Sequence, residues 1–363
     1  MTATRVGQEI RGPSSRLPAL DVLRGVAILC MLIAHGVPFL WPTGVSRPLE
    51  LVLGAINAVA SPLFGLAMGA AGALVWARPT MAGQWPRRVL SDIGRGVVVF
   101  ATGMLLVELN TWVAIVLHVL GVLIVLGIPV AALAGASMRH APAGGRLRSI
   151  LGGLTLVTFA LAPWVTGAVA PVGNRLANGT TGGVAELWAA LVAGESYRAL
   201  SLLPFFALGA LIAAVGLLER PRRLSVVSFL VAVVLVPGYA FVRRSWVIGL
   251  SGDPVDQLFD LTLVMVALAV VTLLVDTLSR RRALWQPLAD LGAIALSVYA
   301  LQLVVLRPLM DWQGWTTSRA LAWVSLLVLV LVPSAVMIWW RRALGPGPLE
   351  HVVALVTGKG RAT

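Results

Sequence analysis

Apolar residues fall along this chain in ten long runs separated by short polar or basic breaks, near 19–41, 50–77, 90–108, 112–136, 149–170, 199–218, 224–243, 257–278, 287–307 and 318–340. Most approach or exceed the ~20 residues an α-helix needs to cross a hydrocarbon core. Within a run the apolar character is nearly continuous, not confined to one stripe, so each helix would be hydrophobic on all sides. Only helices or closed barrels satisfy the backbone in lipid, and runs of this length select helices. The pattern predicts an all-α polytopic membrane protein of about ten transmembrane helices. Pro62, Pro129, Pro204 and Pro333 lie in or near runs and mark expected kinks. The connection over 171–198 opens with Pro, Gly, Asn and Thr and reads as a loop with one short amphipathic stretch holding Trp188. A single membrane domain over 19–342 is expected between a cytoplasmic segment 1–18 and a cytoplasmic tail 343–363. Gly and Pro break that tail, which reads as loose.

Composition strengthens this picture. Hydrophobic residues make up 58% of the chain and charged residues 12%, with a mean hydropathy of +0.91; a soluble domain carries roughly twice that charge. The net charge of +13 would suit a nucleic-acid partner, but its distribution excludes one. The basic residues come as clusters in the breaks, such as Arg87-Arg88, Arg280-Arg281-Arg282 and Arg341-Arg342, not as one stripe interleaved with aromatics. Clusters of this kind anchor cytoplasmic loops. Placing the N-terminus in the cytoplasm puts about three quarters of the 28 Lys and Arg residues on that side. Both termini are then cytoplasmic, and the expected location is the cell membrane. Arg5, Arg11 and Arg16 before an apolar stretch resemble a signal peptide. However, the run that follows is long and ends in Phe39-Leu40-Trp41-Pro42 without a small-residue cleavage site, so a retained span is expected. The single cysteine, Cys30, permits no disulfide within the chain and no thiolate metal site, and suits a small buried position.

Ionisable side chains inside apolar runs are the candidate chemistry, because lipid penalises them unless they serve a purpose. Arg24 and His35 stand eleven steps apart in the first run. At about 100° per step this returns to within some 20° of three full turns, so both project from one face, about 16 Å apart along the axis. Asp21 lies one turn below Arg24 and can pair with it. By depth, His118 comes to the level of His35, and Glu108, Arg243, Arg244, Asp253, Asp256, Asp260, Gln302 and Arg307 gather near the same outer end. A polar cavity lined by His35 and His118 would keep these groups wet. Blander roles suit several of them equally: a local Asp21–Arg24 ion pair, packing for His118, and interfacial placement for Glu108, Arg243 and Arg307. Gln302 and Tyr299 also suit bridges between helices.

The opening Leu20-Asp21-Val22-Leu23-Arg24-Gly25 with His35 at the Arg-x10-His spacing resembles the acyltransferase type 3 family. Ser61-Pro62-Leu63-Phe64-Gly65, Leu117-His118-Val119-Leu120-Gly121, Pro204-Phe205-Phe206 and Leu296-Ser297-Val298-Tyr299 are more similar to bacterial heparan-α-glucosaminide N-acetyltransferase-like proteins. The resemblance implies an enzyme that moves an acetyl or short acyl group from cytoplasmic acyl-CoA to a cell-envelope glycan or glycolipid. Acyl-CoA, foremost acetyl-CoA, would be a co-substrate with no tightly bound cofactor. His35, with His118 as a second catalytic candidate, would act as general base or as a covalent acyl carrier. Arg24 with Asp21, and Arg87, Arg88 and Arg95, would hold the coenzyme phosphates. Glu108, Arg243, Asp260, Gln302 and Arg307 would meet the acceptor. Two readings from other classes remain open: a transporter or flippase for an anionic or glycan-lipid substrate, and a non-catalytic partner in envelope assembly.

Overall fold

The computed structural model describes residues 17–78, 83–179, 198–245 and 252–358, and among these every regular element is a helix. The expectation for Trp188 falls outside the described residues. The elements are α1 (Pro18–Gly36), continued by a 3-10 segment Val37–Thr43, α2 (Arg47–Trp76), α3 (Trp85–Val107), α4 (Leu117–Leu126), α5 (Ile128–Arg139) and α6 (Ala141–Gly179). After them come α7 (Ala199–Ala214), α8 (Pro221–Ser245), α9 (Pro254–Thr277), α10 (Arg282–Ala293), α11 (Ala295–Trp312), α12 (Arg319–Ala343) and α13 (Pro348–Val356). Among the described residues, seven helices are long and apolar enough to cross a bilayer, or up to nine if each of two bent pairs counts as one crossing. The protein is a multi-pass α-helical membrane protein.

The ten apolar runs each correspond to a helix or a bent pair, with three differences of physical interest. The fourth run divides into α4 and α5, bent by 51°; Pro129 occupies the first turn of α5, where its missing N–H costs nothing and its ring ends the preceding helix. The sixth run forms a helix of only 16 residues, α7, about 24 Å long against a hydrocarbon core of roughly 30 Å. The ninth run is not one straight span: it breaks at Ile294 into α10 and α11 with an 80° bend.

Burial orders the bundle. α1 is its centre, packed against α2, α9, α10, α11 and α12, and most of its span is buried. α8 lies at the rim, with Val226, Phe229, Leu230, Val234 and Phe241 on the outside, as lipid-facing residues must be. Where helices approach most closely, glycines make the contact. A Cβ on Gly25 would overlap the Leu288 carbonyl of α10, and one on Gly292 would overlap the Asp21 carbonyl of α1. Gly69 and Gly209 play the same part between α2 and α7. In lipid there is little hydrophobic force between helices, so such backbone-to-backbone packing carries the association.

Over residues 343–358 the segment after Arg342 is not loose. Pro348 at the first turn and Glu350 two residues on start α13, which packs on α3 and α11. The Glu350 carboxylate accepts hydrogen bonds from the backbone N–H of Leu296 (2.9 Å) and Ser297 (3.2 Å), at the start of α11. Ser297 Oγ also donates to it, and the Leu349 N–H donates to that hydroxyl at 3.0 Å. A carboxylate at this position satisfies orphan helix donors and meets the positive end of the α11 dipole.

Candidate active site

α1 builds the first half of the site. The helix starts at Pro18, whose fixed φ suits a first turn, and runs unbroken through Arg24 and His35, which are thereby held on one face. Arg24 Nη1 stands 3.7 Å from Asp21 Oδ1, the expected local pair. Gly25 lets α10 lie against the helix at this level.

His35 is 8% exposed, and its surroundings fix its chemistry. Its Nδ1 is 2.9 Å from Gln302 Oε1, while Gln302 Nε2 donates to the Leu32 carbonyl at 2.9 Å. Because the amide nitrogen is committed to a carbonyl, Oε1 is the atom that faces the imidazole, and an amide oxygen only accepts. The proton of neutral His35 therefore resides on Nδ1, and Nε2 keeps its lone pair, the form a general base requires. The Trp112 indole N–H donates to the His35 carbonyl at 3.1 Å, which the turn from α1 into the 3-10 segment leaves short of a helical donor. The Tyr299 ring meets the imidazole edge-on, centroids 5.6 Å apart, and its hydroxyl accepts from the Val116 N–H at 3.3 Å. Tyr299 and Gln302 are three residues apart on α11 and so share a face.

Two cavities meet at this pair. The first, about 260 Å³, is lined by Arg24, Asp92, Arg95, Tyr299 and Glu350 among other residues. Arg24 and Arg95 face this one cavity together. Arg95 forms no ion pair within 4 Å among the described residues, although Asp92 and Glu350 attract it. Asp92 is already engaged by Arg88 Nη2 at 2.8 Å and the Trp76 indole N–H at 2.9 Å. Two cations with incomplete neutralisation inside a bundle form a receptor for an anion. The second cavity, about 900 Å³, is lined by His35, Glu50, Asn57, Ser61, Trp112 and Asp260 among others. Its described lining holds three carboxylates, Glu50, Asp256 and Asp260, of which Glu50 is paired with Arg47 at 2.9 Å and Asp256 accepts from the Gly252 N–H at 2.7 Å. Pro62 frees the Ala58 carbonyl at its wall. The buried Ser61 Oγ and Gln257 Oε1, both of residues on this wall, have no hydrogen-bond partner among the described residues. Buried polar groups are rarely left so, and a polar ligand or water is what they call for.

The structure sorts the residues singled out from sequence. His35 and Asp260 line the second cavity, and Arg24 and Arg95 the first. Arg88 is buried in its pair with Asp92, and Arg87 beside it is exposed; neither is part of the described lining of the first cavity. His118 is not beside His35. Its backbone closes on Gly103, its ring meets Phe100 edge-on at 6.4 Å, and its Nδ1 is buried without a partner among the described residues. Equal depth placed it with His35, but its rotation about α4 turns it to α3. Gln302 is 0% exposed, with both ends of its amide used, so it touches His35 where contact with the acceptor was expected. Arg307 donates to the Asn110 carbonyl at 2.9 Å and pairs with Asp311 at 3.1 Å. Arg243 lies by Tyr239, with a 3.5 Å hydrogen bond to its hydroxyl, and Glu108 is exposed at the end of α3. None of these last three belongs to the described lining of the second cavity. Sequence reasoning missed Asp92 and Glu350; the Pro-x-Glu start of α13 was the available signal for the latter.

A family model described as an acyltransferase domain matches residues 17–339. None of the curated proteins compared with the chain matches it.

Proposed function

Because this chain belongs to the acyltransferase type 3 family, we propose that it moves a short acyl group, foremost acetyl, from acyl-CoA in the cytoplasm to a saccharide on the far side of the membrane. The observation that carries this reading is the common wall of the two cavities. Tyr299 lines the first and His35 the second, and their rings touch. The cell membrane, with the N-terminus of α1 in the cytoplasm, is the location that fits the basic loops.

Arg24 and Arg95 hold the phosphates of the donor in the first cavity. The rise from Arg24 to His35 is about 16 Å, comparable to the pantetheine arm, so a thioester anchored by its phosphates brings its carbonyl to Tyr299 and His35. The acceptor hydroxyl or amine enters from the second cavity. His35 Nε2 takes its proton, the acceptor oxygen or nitrogen bonds to the thioester carbon, and the carbon–sulfur bond breaks. The coenzyme thiolate then takes the proton back from the imidazolium and leaves as the thiol. Gln302 holds the tautomer throughout. The carboxylates of the second cavity are acceptors for the hydroxyls of a sugar or for an amine, and Trp41 and Trp112 supply faces on which a sugar can stack.

The test is transfer of label from acyl-CoA in proteoliposomes bearing an extract of envelope saccharides. Wild type yields labelled saccharide, and His35→Ala loses at least about a hundredfold. Undiminished transfer by His35→Ala would remove the imidazole from the reaction. Saccharide flux with no need for acyl-CoA would mark a carrier instead.

A further inference from the structure

A third hollow of about 420 Å³ lies between α6, α8 and α9. Phe159, Pro163, Trp164, Phe241, Leu258 and Leu261 are among its lining residues, all apolar. These positions fall late in the spans of α6 and α8 and early in α9, on the same end of the bundle as His35. One polar residue belongs to this lining, Gln257, and it is also on the wall of the His35 cavity. Gln257 is 3% exposed. Its Nε2 donates to the Ser201 carbonyl at 3.3 Å, whereas its Oε1 is buried with no partner among the described residues. A buried amide oxygen left unpaired forfeits the hydrogen bonds that water would give it. Its place at the seam between an apolar groove and an acidic, polar cavity points to a ligand with both characters.

We propose that the groove holds the hydrocarbon tail of a lipid-linked saccharide, with its head group in the His35 cavity and a sugar hydroxyl donating to Gln257 Oε1. This rests on the His35 cavity being the acceptor site. The tail stays in hydrocarbon throughout, so a membrane-bound acceptor reaches His35 by lateral movement and its sugar crosses only the short polar stretch past Gln257. The carboxylates of the cavity are acceptors for sugar hydroxyls next to the reacting atom. Ordinary bilayer lipid would fill the groove equally well but leaves Gln257 unpaired, which distinguishes the two occupants.

The full-length protein in phosphatidylcholine vesicles is given labelled acetyl-CoA and either dodecyl β-glucoside or methyl β-glucoside, which share a head group. Transfer to the dodecyl compound is expected to be about tenfold or more efficient. Leu261→Trp, which fills the groove, lowers that transfer about tenfold and leaves the methyl compound unaffected, and Gln257→Leu lowers both. Equal use of the two glucosides, or undiminished transfer to the dodecyl compound by Leu261→Trp, overturns the proposal and leaves the transferase intact. A dodecyl β-glucoside with a photoreactive tail reports the groove without any reaction. Labelling over 159–164, 241–242 and 254–261 that excess dodecyl glucoside displaces supports the tail site even if transfer fails. Absence of that labelling, or equal displacement by phosphatidylcholine, overturns it.

Discussion

At the scale of single residues, the proposed chemistry condenses on one imidazole and one amide. The helical period alone sets Arg24 and His35 on a common face, so their relation is legible in the amino-acid order itself. That of Gln302 is not, because its meeting with His35 spans 267 positions and depends on how α11 is rotated against α1. Depth, the one coordinate a sequence gives in a membrane, brings His118 and Gln302 to the right level and cannot tell that one faces α3 and the other faces His35. If Gln302 fixes the proton on Nδ1, Gln302→Leu should cut kcat about tenfold to a hundredfold with the donor KM little changed, while Gln302→Asn retains part of the activity. Loss in KM alone would place Gln302 in substrate binding. Arg24→Gln and Arg95→Gln should do the reverse, raising KM for acyl-CoA about tenfold each and sparing kcat, since each removes one charge-assisted contact to phosphate. Unchanged donor affinity in both would take the phosphates elsewhere.

Whole elements are the most legible part, because a span is a matter of length and hydropathy. Even the bend between α4 and α5 is marked by Pro129. The break between α10 and α11 carries no such local mark. Glu350, more than fifty positions further on, caps the start of α11 and so helps make a new helix begin there. That cap also sets α11, and with it Tyr299 and Gln302, against His35. Glu350→Ala should therefore lower thermal stability by about 1–2 kcal/mol, with Glu350→Gln milder, as read by thermal unfolding in detergent. A cap that can be deleted without cost would leave α13 a passive neighbour. Gly25 is a sharper case. Its Cβ has no space before the Leu288 carbonyl, so Gly25→Leu must part α1 from α10. Overpacking of this kind costs roughly 1–3 kcal/mol or more. Little folded protein is expected in gel filtration, and a stable, wild-type-like variant would contradict the close approach.

The whole molecule is an arrangement of two differently charged cavities on the two sides of a thin wall, one with paired arginines and the other with three carboxylates. The basic loops imply which cavity faces the cytoplasm, whereas the existence of the wall depends on bundle packing that no single run encodes. In the proposed reaction the thioester and its acceptor lie on opposite sides of the membrane, and this wall is where they would meet. Sidedness tests this most directly. With the protein inserted in one orientation, labelled acyl-CoA added on the side of the basic loops should label acceptor present only on the opposite side, in wild type and not in His35→Ala. Label appearing only when donor and acceptor are supplied on the same side would contradict it.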